Sequence, residues 1–146
     1  MKVLVHLEHD GACLRRGSLS ALRFGQDVAE ETGGSVQGIV LGSDLGAVAS
    51  DAARFVSVLV ADDPGLGALV AGTHAQAIAD AVGSGGFDVV VGTSTSATKD
   101  TMGRAGGLLG GYMASDVVGH ELRDGELFLL RPMFAGSAIA TVRLCG

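Results

Sequence analysis

The sequence predicts an α/β fold, a three-layer α/β/α sandwich on a mainly parallel sheet with a β-rich C-terminal part. Three observations carry this. Apolar runs recur at 2–7, 36–41, 55–61 and 87–92, and they are continuous rather than alternating, as in parallel strands covered on both faces. Between them lie stretches whose apolar residues recur at helical spacing. From residue 115 onward the pattern changes to strands joined by tight turns, which makes the tail antiparallel.

The first strand, at 2–7, meets the turn-forming Asp10-Gly11. Ser18 is placed to cap a helix in which Ala21, Leu22, Gly25, Val28 and Ala29 share one face, and Gly33-Gly34 ends it. The second strand, 36–41, leads through a brief helix at about 45–54 into FVSVLVADD, which stops at Asp62-Asp63-Pro64. Thr73 caps the next helix, with Ala75, Ile78, Ala79 and Val82 on its buried face, and the glycines from 83 to 86 close it before FDVVVG. A helix over about 99–112 follows, with Met102, Ala105, Gly106, Leu109 and Met113 toward the sheet. Gly103, Gly106, Gly107, Gly110 and Gly111 make it weak, each costing about 1 kcal/mol relative to alanine in a helix interior. Close approach at these glycines is the expected reason that packing holds it. The strands SDVVGHEL, ELFLLRPM and SAIATVRL complete the chain, the first two joined at Asp124-Gly125. The 146 residues are expected to form one domain, 1–146, large enough to bury its own core.

Composition removes several function classes. Hydrophobic residues make up 47% and charged residues 18%, which excludes a disordered chain. The net charge is −6 and the ten basic residues do not cluster, against both nucleic-acid binding and docking on anionic membranes. No apolar run reaches the roughly 18 residues of a membrane span, and MKVLVHLEHD reads as a strand rather than a leader. Cys13 and Cys145 lie at opposite ends and make no metal-type pair, so free thiols in a reducing, cytoplasmic compartment are expected.

Two stretches are candidates for chemistry. In folds of this class ligands bind beyond the carboxyl ends of the strands, where strand order reverses. There the sequence places Thr93, Ser94, Thr95, Ser96, Ala97, Thr98 and Lys99: five hydroxyls and a compact cation at a helix start, whose free N–H groups favour an anion or nucleotide phosphate. The same hydroxyls equally serve as caps and turn ligands. The second stretch is His6-Leu7-Glu8-His9-Asp10. Strand alternation puts His6, Glu8 and Asp10 on one face, a pattern open to metal ligation, yet no second cluster supplies further ligands and His74 and His120 stand alone. No metal and no catalytic residue is therefore expected. GxxxxGK[ST], GxGxxG after the first strand, and GxSxG are all absent, and Asp62-Asp63 has no acid partner beside its turn proline, so the protein is not expected to be an enzyme in its own right.

Several stretches together resemble the N-terminal domain of the electron transfer flavoprotein alpha subunit. They are KVLVHLEHD followed by SLSALRFGQDVA, VSVLVADD, VVVGTSTSATKDTMGRAGGLL and, most specifically, RPMFAGSAIATVRL. The resemblance runs over the whole chain and implies a Rossmann-like fold of the adenine nucleotide alpha hydrolase type. It also implies a scaffold role in electron transfer from flavin dehydrogenases to a respiratory acceptor, docked on a beta-type subunit and beneath a flavin-binding domain. FAD belongs to the complete complex on this resemblance, with no cofactor in this chain, whose flavin-holding second domain is expected to be missing. Homo-oligomerisation through the same apolar surface is a further expectation. Arg104 and Arg131 fall where the family carries arginines and are interface candidates. Ala97-Thr98-Lys99 departs from the family, which places a glycine before the basic residue. Two alternatives stand beside it: a free-standing nucleotide-binding or stress-response module, and an orphan interaction domain. The Gly-x2-Gly-x9-Gly-Ser/Thr signature of ATP-binding universal stress proteins fails, since Gly103 and Gly106 lead to Asp116 while Gly107 and Gly110 lead to His120.

Overall fold

A computed structural model describes residues 1–145. Four strands, β1 (Lys2–His6), β2 (Ser35–Gly42), β3 (Val58–Asp62) and β4 (Val89–Gly92), form one parallel sheet in the order β3-β2-β1-β4. Helices α1 (Arg16–Glu31) and α2 (Gly46–Ala52) cover one face, while α3 (Ala71–Gly85) and α4 (Ser96–Leu109) cover the other. The three layers are those expected.

Alternation along β1 divides the core. Val3, Val5 and Leu7 pack against Ala21, Leu22 and Val28 of α1 and Val48 of α2. Leu4 turns the other way, onto Ile78 of α3 and Ala105 of α4, beside Ile39 and Leu41. Burying each large aliphatic side chain contributes roughly 1.5–3 kcal/mol, and Leu4, Leu7, Ile39 and Ile78 are all buried. The central strands β1 and β2 match the reading of their apolar runs. The edge strands β3 and β4 remain half-exposed because each has a neighbour on one side only.

Several boundaries move, each for a local reason. Ser18 does not cap α1: the helix starts at Arg16, and the Ser18 hydroxyl donates to Glu8 O at 2.9 Å. Thr73 lies inside the first turn of α3, where its hydroxyl donates to Val70 O, and Val70 is the capping position. Helix α4 begins three residues before Lys99 because Thr95 is a true N-cap, its Oγ1 accepting from Thr98 N at 3.1 Å. It ends at Leu109, where Gly110 turns left-handed (φ 64°), so only three of the five glycines burden its interior. Those three are not points of close backbone approach: beside Gly103 and Gly106 the nearest atoms to an added Cβ lie 3.8 Å away, and beside Gly107 there are none within 4 Å. Close approach belongs to Gly25, where a Cβ would come within 2.7 Å of Val5 Cγ2, and to Gly92, within 2.6 Å of Thr98 Cγ2. The face of α4 also differs, since Thr98 and Thr101 are buried with Ala105 while Leu109 and Met113 are exposed.

The tail forms its own sheet. β5 (Gly119–Arg123), β6 (Glu126–Met133) and β7 (Ala138–Val142) pair antiparallel in that order and do not extend the parallel sheet. Asp124 and Gly125, both at positive φ, make the two-residue turn that the sequence signals. The sheet leans on α1, where His120 packs edge-on against Phe24 at 5.0 Å between ring centroids. An open crevice of about 1120 Å³ separates it from the free edge of β4 and from α4.

Candidate functional site

The chain runs outward from β1 through β2 to β3, then returns to place β4 on the other side of β1. The reversal lies between the carboxyl ends of β1 and β4, where folds of this class bind ligands. Residues 7–10 and 93–95 meet there, together with the first turn of α4.

The polar groups of this corner are turned on the chain's own carboxylates. Thr95 Oγ1 and Thr98 Oγ1 both donate to Glu8 Oε1, at 2.5 and 2.6 Å. Ser94 Oγ donates to Asp116 Oδ1 at 2.6 Å, and Lys99 Nζ lies 2.6 Å from the same oxygen. Lys99 and then Ser94 hold the Asp116 carboxyl down to a pKa of about 2. Thr93 Oγ1 is buried without a partner, its methyl group filling the space left by Gly17 of α1, and Ser96 is exposed at the first position of α4. An outside anion at this helix start would therefore meet Glu8 and Asp116 already bonded to the side chains of Thr95, Thr98, Ser94 and Lys99.

The stretch at 6–10 splits up. His6 faces α3 and α4, and burial lowers its pKa to about 4, so it is neutral near pH 7 with its Nδ1 unpartnered. Glu8 reaches α4 as described, while the Asp10 carboxylate accepts from Ala12 N and Cys13 N to fold the following turn. His9 Nε2 pairs with Leu41 O at 2.9 Å. Asp62 and Asp63 are structural too: Asp62 accepts from the backbone N–H groups of Asp44 and Leu45 at the start of α2, and Asp63 from Gly65 N.

The two interface candidates lie in different settings. Arg104 is exposed on α4 and pairs with Asp100 at 2.9 Å. Arg131 sits half-buried on β6, on the face it shares by alternation with Leu127 and Leu129, both of which line the crevice. Its Nη2 donates to Ser115 Oγ at 3.2 Å and its Nε is buried with no acceptor. The sequence predicts Ser115 and Asp116 in the strand SDVVGHEL, but β5 starts only at Gly119 and both residues lie in an irregular connection, so their partners escaped the sequence reading. Glu8 was visible, but its partners lie 87 and 90 residues away.

Apolar residues stand uncovered on and around the small sheet: Val118, which lines the crevice, is 66% exposed, and away from the crevice Ile139 is 55% and Phe134 81% exposed. Phe134 and Ala135 are held at positive φ in the turn between β6 and β7, within the stretch that resembles the flavoprotein family most specifically.

Compared with known families, residues 3–145 match the electron transfer flavoprotein domain. The chain belongs to the electron transfer flavoprotein family. Among curated relatives, this electron transfer flavoprotein domain is 30% identical over 153 residues to the mitochondrial electron transfer flavoprotein subunit alpha of Oryza sativa subsp. indica, covering 100% of the chain and 41% of that relative. It is 32% identical to the electron transfer flavoprotein subunit alpha of Pseudomonas aeruginosa, over 98% of the chain and 44% of the relative. A probable mitochondrial alpha subunit of Schizosaccharomyces pombe is 28% identical, over 96% and 40%. The chain thus spans about two fifths of the length of these relatives.

Proposed function

We propose that residues 1–146 act as one unit, the alpha-type scaffold of an electron transfer flavoprotein. A beta-type subunit and a flavin-carrying domain dock on it, and electrons pass from flavin dehydrogenases toward a respiratory acceptor. The observation that carries the reading is the uncovered apolar surface around the small sheet, at Val118, Phe134 and Ile139, attached to a body whose own core is already complete. Family membership and the likeness to alpha subunits support the same role. FAD belongs to the assembled complex, and this chain supplies surface rather than a redox centre or a catalytic group. The corner at 93–99 serves as a tied joint engaged by Glu8 and Asp116, and Arg104 presents a charge to the flavin-carrying domain. The protein works in the cytoplasm; among the described residues no helix is long and apolar enough to cross a membrane.

Two measurements test this. The purified chain should be colourless through the flavin absorption bands, and in sedimentation velocity it should form a heterodimer when a beta-type subunit is added. Stoichiometric flavin in the isolated chain would overturn the scaffold reading. A chain that remains monomeric beside every beta-type subunit tried would favour an orphan interaction domain.

A further inference from the structure

Arg131 is the one arginine among the described residues that is withdrawn from solvent; all the others are exposed. Most of the exposed ones have a carboxylate within reach, as in the pairs Arg23–Asp27, Arg54–Asp51, Arg104–Asp100, Arg123–Glu121 and Arg143–Glu126. Arg131 has none. Its only side-chain hydrogen bond runs from Nη2 to a neutral hydroxyl, Ser115 Oγ at 3.2 Å, and its Nε is sealed from water without an acceptor. A guanidinium cannot neutralise itself by losing a proton, so a half-buried one without a counter-ion is a standing demand for an anion. The neighbouring charges do not meet it, because Asp116 is held by Lys99 and Glu126 by Arg143.

Ser115 lines the crevice of about 1120 Å³, and Leu127 and Leu129, on the inward face that Arg131 shares, line it as well. Val91 of β4 and Met102 of α4 form the facing wall. The arrangement is a largely apolar cleft whose carboxylates are engaged within the chain, Asp88 by Lys2 N, Asp116 by Lys99 and Glu126 by Arg143. One uncompensated cation, Arg131, is set behind the Ser115 that lines it, a plan in which one polar group fixes orientation. We infer that Arg131 and Ser115 form the receptor for an oxyanion, a carboxylate or phosphate carried on an apolar body that lies in the crevice. The planar fork of arginine suits either group, taking two oxygens at once. The Ser115 hydroxyl, which also helps hold the Asp116 carboxyl down, donates a further bond when it turns from Asp116 to the ligand. This inference shares one residue with the docking reading, Val118, which lines the crevice, whereas Phe134 and Ile139 lie away from it.

The test uses the whole chain alone, so it can fail or succeed whether or not a beta-type subunit binds. Arginine Nε–Hε signals are followed by ¹⁵N NMR during separate titrations with inorganic phosphate and with benzoate, the Arg131 signal being identified by its loss in Arg131→Lys. The expected result is a saturable shift of that signal with at least one probe, accompanied by backbone shifts at Ser115 and Leu129. Saturation by phosphate assigns a phosphate ligand, and saturation by benzoate a carboxylate on an apolar body. Ser115→Ala should weaken the binding by about tenfold, the worth of one charge-assisted hydrogen bond. Should Arg131→Gln unfold the protein, Arg131→Lys and Ser115→Ala still decide the matter, because the lysine variant keeps charge but loses the fork and should also bind more weakly. No saturable shift with either probe would overturn the proposal, as would equal shifts at Ser115 and Leu129 in a folded Arg131→Gln variant.

Discussion

The parallel body and the antiparallel tail each contain apolar strands, yet they end in different states. In β1 four of five residues are buried, and in β2 five of eight. In β5, β6 and β7 no residue reaches that class, although five of the eight residues of ELFLLRPM are hydrophobic. The difference lies in the covering. β1 has a helix layer above and below, whereas the small sheet has α1 beneath it, through Phe24 and His120, and nothing on its outer face. His120 Nε2 also lies 3.3 Å from Glu31 Oε2, close enough for contact but not aligned for a hydrogen bond. A three-stranded sheet with one face packed is near the lower limit of independent stability. The body carries the core, to which the tail adds Leu127, and the tail keeps exposed apolar surface of its own.

That contrast can be broken most directly by truncating one core side chain in each region. Leu4→Ala removes a fully buried side chain between β1 and the α3/α4 layer and should cost about 2–5 kcal/mol in denaturant unfolding. Ile139→Ala, at a position 55% exposed, should cost less than about 1 kcal/mol. Equal losses would mean that the outer face of the tail is covered in solution, by a second copy if sedimentation shows a dimer.

His6 sharpens the picture of the body. Burial lowers its pKa from 6.5 to about 4, so the folded protein resists a proton that the unfolded chain accepts. Above pH 6.5 both states are neutral and His6 has no effect on stability. Between pH 6.5 and 4 the unfolded state gains the proton first and stability falls, by on the order of 3 kcal/mol at the lower end. His6→Leu should flatten the stability profile in that window, as measured by urea midpoints at each pH; an unchanged slope would show that other groups dominate acid unfolding. Asp116 acts in a separate window. Its depressed pKa supports the fold above pH 3.8, and this support disappears as the pH falls through about 2.

The smallest expected effect is a gain. Gly107 is exposed on α4 with nothing within 4 Å of an added Cβ, so Gly107→Ala should raise stability by about 0.4–1 kcal/mol, visible as a higher Tm. A loss instead would place a packing partner on that face of α4.

How far the sequence carries can be judged at particular residues. The four parallel strands, the Asp124-Gly125 hairpin and the closing of α3 among the glycines at 83–86 were legible, because each depends on a local pattern that the residue type enforces. The starts of α1 and α3 were misplaced because Ser18 and Thr73 are good capping residues in general, and only tertiary context turns the hydroxyl of Ser18 onto Glu8 O. The corner at 93–99 was correctly placed at the reversal of strand order. Its neutralisation by Glu8 and Asp116 was not legible, since no local pattern reports a partner 87 residues away or one in a connection without regular structure. Arg131 was noted for its position alone, and its missing counter-ion is a property of three-dimensional surroundings.

The central place of β1 has a consequence for synthesis. Its neighbour β2 follows it closely along the chain, but its other neighbour, β4, ends at Gly92, and the hydroxyls that receive Glu8 come later still, at Thr95 and Thr98. On a ribosome moving at about 5–20 residues per second, the gap between Glu8 and Thr98 amounts to roughly ten seconds. Until β4 arrives β1, the most completely buried strand of the sheet, offers at least one open edge to any other nascent chain. A nascent chain shorter than 98 residues cannot make the bond from Thr98 to Glu8, and β1 lacks its second neighbour until β4 has left the ribosome.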